Sequence, residues 1–148
     1  MAKIHVEAAG TVNAPPQQVY DFLRDYRTNH PSILPENFTN YMVELGGEGA
    51  GTIARFDVHA GGRVRPFRIE VSEPEPGRRL EESDTRSSAV TNFDFAPLDG
   101  GAKTRLTITT EWNGSGGVGG FFERTFAPRV LKGVYEDELR RIAERFAS

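Results

Sequence analysis

The chain has 148 residues, of which 37% are hydrophobic and 26% are charged, a composition typical of one soluble globular domain with a buried core. Its formal net charge of −3 gives no indication of nucleic acid or an anionic membrane surface as a partner. Because the sequence contains no cysteine, disulfide bonds and metal sites with cysteine ligands are excluded.

The histidines bear on metal binding, and the apolar runs bear on secretion and membrane insertion. His5, His30 and His59 are too scattered to form a local metal motif, so we expect no metal or other cofactor. The N-terminal residues lack the apolar core of a signal peptide, and nowhere is an apolar run long enough to span a membrane. We therefore expect residues 1–148 to form one cytoplasmic domain.

The first part of the sequence predicts one strand and two short helices. Residues 3–12 alternate between apolar side chains, such as Ile4 and Val6, and polar ones, which is the period of a half-buried strand. Asn13 can cap a helix that two prolines open, at positions 15 and 16. The stretch DYRTNHPSILPEN predicts a second short helix or turn that Pro35 closes.

Between residues 38 and 113 the hydrophobic period is two, and short glycine- or proline-rich turns separate the runs. Consecutive strands joined by short turns pair antiparallel, so we expect a meander of about six strands, which the N-terminal strand extends to seven. Alternation gives this sheet one apolar face. Its members are Phe56, Val58, Phe67, Ile69, Phe93, Phe95, Leu106, Ile108 and Trp112.

The end of the chain predicts a long amphipathic helix from Arg129 to Arg145. Its apolar residues recur at spacings of three, four and seven, and charged residues occupy the rest of its surface. This apolar stripe consists of Val130, Leu131, Val134, Tyr135, Leu139, Ile142 and Phe146.

The stretch NGSGGVGG contains the pattern GxGxxG, formed by Gly114, Gly116 and Gly119. A dinucleotide-binding loop belongs to a parallel βαβ unit, whereas the strand before these glycines belongs to an antiparallel meander and no strand follows the helix. We therefore expect no nucleotide site. Two alternatives stay open: an ordinary long turn, or a hinge from Gly114 to Gly120 that lets an apolar segment before Pro128 close over a cavity as a gate. The apolar residues of that segment are Val118, Phe121, Phe122 and Phe126.

The order of these elements resembles the helix-grip fold of the START-like (SRPBCC) superfamily over the whole chain. Its local signs are GTVNAPPQQVYDFLRD near the start, SEPEPGRRLEE in the middle and GGAKTRLTITTEW before the glycine-rich stretch. The sequence is most similar to the polyketide cyclase/dehydrase and lipid-transport branch of this superfamily, which also contains the major birch pollen allergen. The resemblance implies an α+β fold: a seven-stranded curved antiparallel sheet wraps around the C-terminal helix and encloses a cavity, and two short helices follow the first strand.

A cavity lined by the apolar face would suit a small hydrophobic or aromatic ligand of lipid or polyketide type. We expect a pocket of a few hundred Å³, in the usual range for ligand sites. Each apolar member of the set is also explained as plain core. The residues expected to contact the ligand are Phe56, Val58, Arg65, Phe67, Ile69, Phe93, Phe95, Ile108, Thr110, Trp112, Phe122, Phe126 and Tyr41.

Polar groups on this face are few. Arg65 would anchor a ligand carboxylate or enolate, unless it extends past the rim of the sheet into solvent together with Arg63. Glu82 and Asp84 have inward parity, and a carboxylate against an apolar cavity would have a raised pKa and could act as a base, although at a solvated strand end it would not. His59 has outward parity. No set of nucleophile, base and orienting group can be assembled from these residues.

Two functions stay open at this stage. A carrier or sensor of a hydrophobic ligand needs only a cavity and a gate, and the sequence favours this interpretation. A polyketide cyclase or dehydratase would need a positioned acid–base group in the same cavity. The sequence does not decide whether a reaction is catalysed, nor whether the chain is a monomer or a homodimer.

Overall fold

The computed structural model describes residues 3–113 and 128–147. Strand β1 (Lys3–Val12) is followed by helices α1 (Pro16–Leu23) and α2 (Asn29–Ser32). The next strands in chain order are β2 (Phe38–Leu45), β3 (Ile53–Ala60), β4 (Arg63–Glu75), β5 (Arg79–Asp84), β6 (Val90–Leu98) and β7 (Lys103–Asn113). A short 3₁₀ turn (Asp99–Gly101) precedes β7, and helix α3 (Pro128–Arg145) is the last described element.

The seven strands form one antiparallel sheet in the order β1-β7-β6-β5-β4-β3-β2. Strand β1 pairs with the last strand, with Val6 opposite Thr110, and every other pair consists of neighbours in the sequence. Side chains on one face of the sheet are buried, and α3 packs its apolar stripe against that face, chiefly along β1. The helix-grip fold that the resemblance implied is thereby confirmed.

Helix α3 follows the predicted stripe with one exception. Leu131, Leu139 and Ile142 are buried, as their spacing predicts, whereas Val130 is 37% exposed. Pro128 is the first residue of α3, where its missing N–H would have no helical partner. The hinge at Gly114 to Gly120 and the gate residues Val118, Phe121, Phe122 and Phe126 lie outside the described residues. None of the described helices has the length and apolarity needed to cross a membrane.

A bulge in edge strand β2 turns two aromatic side chains toward the same face. Phe38 and Tyr41 are three residues apart, so a regular strand would place them on opposite faces. The pairing with β3 is irregular between Thr39 and Met42, and Asn40 adopts φ +55. Such a bulge changes the side-chain parity by one. Phe38 and Tyr41 therefore both pack toward Phe56 of β3.

Glu73 of β4 joins α1 to the sheet. Its carboxylate accepts a hydrogen bond from the Tyr20 hydroxyl at 2.6 Å, two from the Arg24 guanidinium at 3.3 Å and one from the Ala50 N–H at 2.8 Å. Burial alone would raise the pKa of Glu73, but these donors hold it below its ordinary value. The end of α1 is thus fixed, and with it the start of residues 24–34, the segment that leads to the cavity described below.

Replacing Glu73 with Gln should lower the free energy of unfolding by about 1–3 kcal/mol, because charge-assisted hydrogen bonds become neutral ones. Urea denaturation of the purified variant measures this loss. Glu75→Gln, an exposed carboxylate on the same strand, is the matched control and should be close to neutral. Equal stability of the Glu73 variant and wild type would show that this connection is not a stabilising one.

Candidate functional site

A cavity of about 60 Å³ lies between the inner face of the sheet, residues 26–34 and helix α3. Its walls are divided evenly between apolar and polar side chains. The apolar ones are Leu34, Phe38, Phe56, Val58, Phe67, Ile69, Ala89, Phe93 and Leu131. The polar ones are Tyr26, His30, Tyr41, Glu82, Asp84, Thr91, Thr110, Tyr135 and Glu138.

The structure places seven of the thirteen sequence-predicted site residues around this cavity. Strand alternation accounts for most of them, and the β2 bulge accounts for Tyr41. They are Tyr41, Phe56, Val58, Phe67, Ile69, Phe93 and Thr110. Phe122 and Phe126 lie outside the described residues.

Four of the predicted residues are not among the described residues that line this cavity. Phe95 packs edge-on against Tyr20 of α1, with ring centroids 5.1 Å apart. Ile108 and Trp112 are fully buried in the hydrophobic core of the sheet. Arg65 is buried beside Asp84, with Nη2 3.7 Å from Oδ2, and its guanidinium lies over the Phe67 ring. Alternation identified the correct face for these residues, but not their position along it.

The cavity is also smaller than the few hundred Å³ that we expected. The physical reason is that the strands do not supply all of its walls. Tyr26 and His30 extend into this space from the chain between α1 and β2, and Tyr135 and Glu138 extend into it from α3. The expected volume was based on inward-facing strand residues alone, so it did not allow for these four side chains.

Glu82 lies at the centre of the polar side of the cavity. The Tyr26 hydroxyl donates a hydrogen bond of 2.7 Å to Oε2 of Glu82, and Nε2 of His30 lies 3.8 Å from the same oxygen. Burial raises the pKa of Glu82 to about 7, although the Tyr26 hydrogen bond acts in the opposite direction. Glu82 can therefore hold or release a proton near neutral pH.

His30 is held as a neutral imidazole. Its Nδ1 lies 2.7 Å from the Leu23 carbonyl oxygen, and because a carbonyl only accepts hydrogen bonds, Nδ1 carries the ring proton. Burial lowers the pKa of His30 to about 4. The ring stacks on Tyr26 at 4.4 Å between centroids and meets Phe93 edge-on. Nε2 therefore faces Glu82 as a hydrogen-bond acceptor without charge.

Glu138 is the second carboxyl group of this site. It is only 2% exposed, and its Oε2 has no hydrogen-bond partner among the described residues. Burial raises the pKa of Glu138 well above its ordinary value, and the negative charges of Glu82 and Asp137 raise it further. The Glu138 carboxyl therefore holds its proton more strongly than an exposed glutamate does.

The remaining polar groups are already hydrogen-bonded within the protein. The Tyr135 hydroxyl bonds to Thr110 Oγ1, which lies 2.7 Å from Thr91 Oγ1. The Tyr41 hydroxyl donates to the Tyr26 carbonyl oxygen at 2.7 Å. Among residues 3–113 and 128–147, no group of three histidine or carboxylate side chains could hold a metal ion.

Sequence reasoning singled out Glu82 but did not find Tyr26, His30 or Glu138 as site residues. A signal for Glu138 is present, since it lies four residues after Val134 and seven after Leu131, on the predicted apolar stripe. Tyr26 and His30 carry no such signal, because the segment before β2 has no hydrophobic period.

Comparison with known proteins assigns the family. Residues 3–147 match the profile of the family described as polyketide cyclase / dehydrase and lipid transport, so the chain belongs to this family. The solution structure of a protein named KanY is 33% identical, with 99% of each chain covered and a TM-score of 0.85. No curated protein gives a significant sequence match.

More distant solved structures share the fold alone. The Zhui aromatase/cyclase from Streptomyces sp. R1128 is 18% identical, with 97% of this chain and 93% of that chain covered and a TM-score of 0.70. The major latex-like protein 151 of Panax ginseng is 12% identical, with 99% of both chains covered and a TM-score of 0.71.

The raised pKa of Glu82 makes stability depend on pH. The unfolded carboxyl titrates near 4.5 and the folded one at about 7, so the stabilisation is complete below pH 4.5 and is lost as the pH rises through 7. We expect Glu82→Gln to gain about 1–3 kcal/mol relative to wild type over this range. Thermal or urea unfolding at several pH values measures the difference between the variant and wild type.

Glu70→Gln, an exposed carboxylate on β4, provides the control for this measurement. Its stability should follow that of wild type at every pH. A constant difference between Glu82→Gln and wild type across the range would mean that the folded pKa of Glu82 is not raised.

Proposed function

We propose that this protein binds a small hydrophobic or aromatic molecule in the cavity between sheet and helix α3, as a carrier or sensor. The observation that supports this most is an internal cavity whose described wall combines nine apolar side chains with polar groups that include two buried glutamates. That combination is typical of sites for small organic ligands. Membership of a family whose description includes lipid transport agrees with the proposal.

The size of the cavity requires some side chains to move when a ligand binds. At about 60 Å³ it lies below the roughly 300 Å³ at the lower end of ligand pockets. Phe56 lies among Phe38, Tyr41 and Phe67, with ring centroids 5.5, 6.1 and 5.8 Å away. These rings are only partly buried, unlike Phe93. We propose that a ligand gains space by displacing this group of rings.

Apolar burial alone would give weak binding. A ligand that buries about 300 Å² of apolar surface gains roughly 7 kcal/mol at 25 cal/mol per Å². Association itself costs about 4–15 kcal/mol, which offsets much of that gain. A specific ligand therefore needs a polar contact as well, and Glu82 and Glu138 are the groups available in the cavity for one.

A second candidate function is catalysis of a cyclisation or dehydration in the same cavity. The observation that favours it is the pair Glu82 and Glu138, because two buried carboxyl groups with raised pKa values can act as base and acid. Incubation with a linear poly-β-ketone thioester distinguishes the two functions by mass spectrometry. A carrier returns it unchanged, whereas a cyclase releases a product that has lost water, and Glu82→Gln should abolish that product.

Filling the cavity should abolish ligand binding. Ala89 lines the cavity, and a leucine there would occupy much of its volume, at a cost of about 1–3 kcal/mol in stability. We expect Ala89→Leu to weaken binding of 2-phenylethanol about tenfold or more, measured by shifts of backbone amide NMR signals at Val58, Ile69 and Phe93.

Ala96 is an exposed alanine on β6, the strand that begins directly after Ala89. Ala96→Leu is therefore the matched control and should bind like wild type. The amide spectrum of each variant reports whether it is folded. Amide shifts confined to the outer face of the sheet, or unchanged affinity in a folded Ala89→Leu variant, would contradict binding in this cavity.

A further inference from the structure

The described lining of the cavity contains acidic groups and no lysine or arginine. Its carboxyl groups are those of Glu82, Asp84 and Glu138. The one basic side chain, His30, is neutral, because burial lowers its pKa to about 4 and its proton is bonded to the Leu23 carbonyl. The described lining therefore offers a bound anion no cationic side chain with which to pair.

Asp84 differs from the two glutamates because its charge is compensated inside the protein. Its Oδ2 lies 3.7 Å from Nη2 of Arg65 and accepts a hydrogen bond of 2.6 Å from the Ser87 hydroxyl. The backbone N–H of Arg68 donates to Oδ1 at 3.2 Å. A ligand is not needed to balance Asp84.

Glu82 and Glu138 have no such compensation among the described residues. The hydrogen-bond donor to Glu82 is the neutral phenol of Tyr26, at 2.7 Å. Glu138 is 2% exposed and its Oε2 is without a hydrogen-bond partner in the described part of the chain. The two carboxyl groups are close enough for the charge of Glu82 to raise the pKa of Glu138. A cation between them would satisfy both groups at once.

The aromatic walls of the cavity suit the apolar part of a ligand whose cationic group lies between Glu82 and Glu138. Tyr26 stacks on His30, and Phe56 lies between Tyr41 and Phe67 in a second stack of aromatic rings. The faces of aromatic rings attract cations, and their edges and methylene neighbours accommodate an apolar body. The cavity thus combines buried carboxyl groups with aromatic surface.

We propose that the ligand of this cavity is a protonated amine attached to a hydrophobic or aromatic group, with its ammonium between Glu82 and Glu138. This inference rests on the proposed function, since it names the ligand class of the same cavity. It replaces the expectation of a ligand carboxylate anchored by Arg65, because Arg65 lies beside Asp84 and does not border the cavity.

Binding of an ammonium group at this position should release protons from the two glutamates. In the free protein burial raises the pKa of Glu82 to about 7 and raises that of Glu138 well above its ordinary value, so an ammonium group that binds between them displaces protons. Below pH 7 the affinity for an amine should fall by up to about tenfold per pH unit for each proton displaced. The ionisable groups that face the pair from the surrounding elements are Tyr26, His30, Tyr41, Asp84 and Tyr135.

Three probes that share a phenylethyl group test the proposal: 2-phenylethylamine, 2-phenylethanol and 3-phenylpropanoate. NMR titration of the wild-type protein between about pH 6 and pH 8 gives the affinity of each. We expect the amine to bind about tenfold or more tighter than the alcohol at the upper pH, and the carboxylate to bind weakest. The affinity for the amine should rise with pH, while that for the alcohol should not change.

Variants of the two glutamates show whether these residues cause the preference for the amine. Glu138→Gln and Glu82→Gln should each reduce the affinity for the amine about tenfold and reduce the affinity for the alcohol much less, because a glutamine side chain can still hydrogen-bond a hydroxyl group but cannot pair with an ammonium charge. Glu136→Gln, on the exposed side of α3, is the matched control. If a variant fails to fold, the wild-type comparison of the three probes and their pH dependence decides the question alone.

The outcomes separate this inference from the proposed function. If the alcohol or the carboxylate binds as tightly as the amine, or the affinity for the amine does not depend on pH, the ligand class is wrong while cavity binding stands. If none of the three probes binds in the cavity, the proposed function fails and this inference fails with it.

Discussion

An ionised carboxylate in an apolar enclosure lacks the water that stabilises its charge, and in this protein two glutamates share one such enclosure. Glu82 lies between Tyr26, His30 and the apolar wall, and Glu138 faces it from helix α3. The side chains that exclude water also raise both pKa values. The hydrophobic and the electrostatic properties of the cavity therefore have one cause, because the burial that makes its wall apolar also favours the protonated form of both carboxyl groups.

The fold brings these groups together from three separate parts of the chain. The alternation of β5 places Glu82 on the inner face, and the helical period of α3 places Glu138 one turn beyond Val134 on the buried stripe. Tyr26 comes from the segment after α1, whose start is fixed by the hydrogen bonds of Glu73. A change far from the cavity, such as loss of the Glu73 contacts, would consequently alter the support of Glu82.

The sequence predicted the fold more fully than the site. Strand alternation placed Phe56 and Phe67 correctly on the inner face, because burial in a sheet has a period of two. The same rule gives the face of Trp112 but not which element covers it, and Trp112 lies in the core rather than among the described residues that line the cavity. Tyr26 could not be found, because the segment that contains it has no period. Glu138 was detectable in principle as a charge on an apolar stripe.

The protonation of the two glutamates in the free protein shows whether their burial in the cavity governs their chemistry. Carbon-13 NMR of the side-chain carboxyl carbons, assigned with Glu82→Gln and Glu138→Gln, follows each group across the pH range. We expect Glu82 to titrate at about pH 7 and Glu138 to keep its proton well above its ordinary pKa. Midpoints for both groups near the ordinary value of about 4.3 would contradict this expectation.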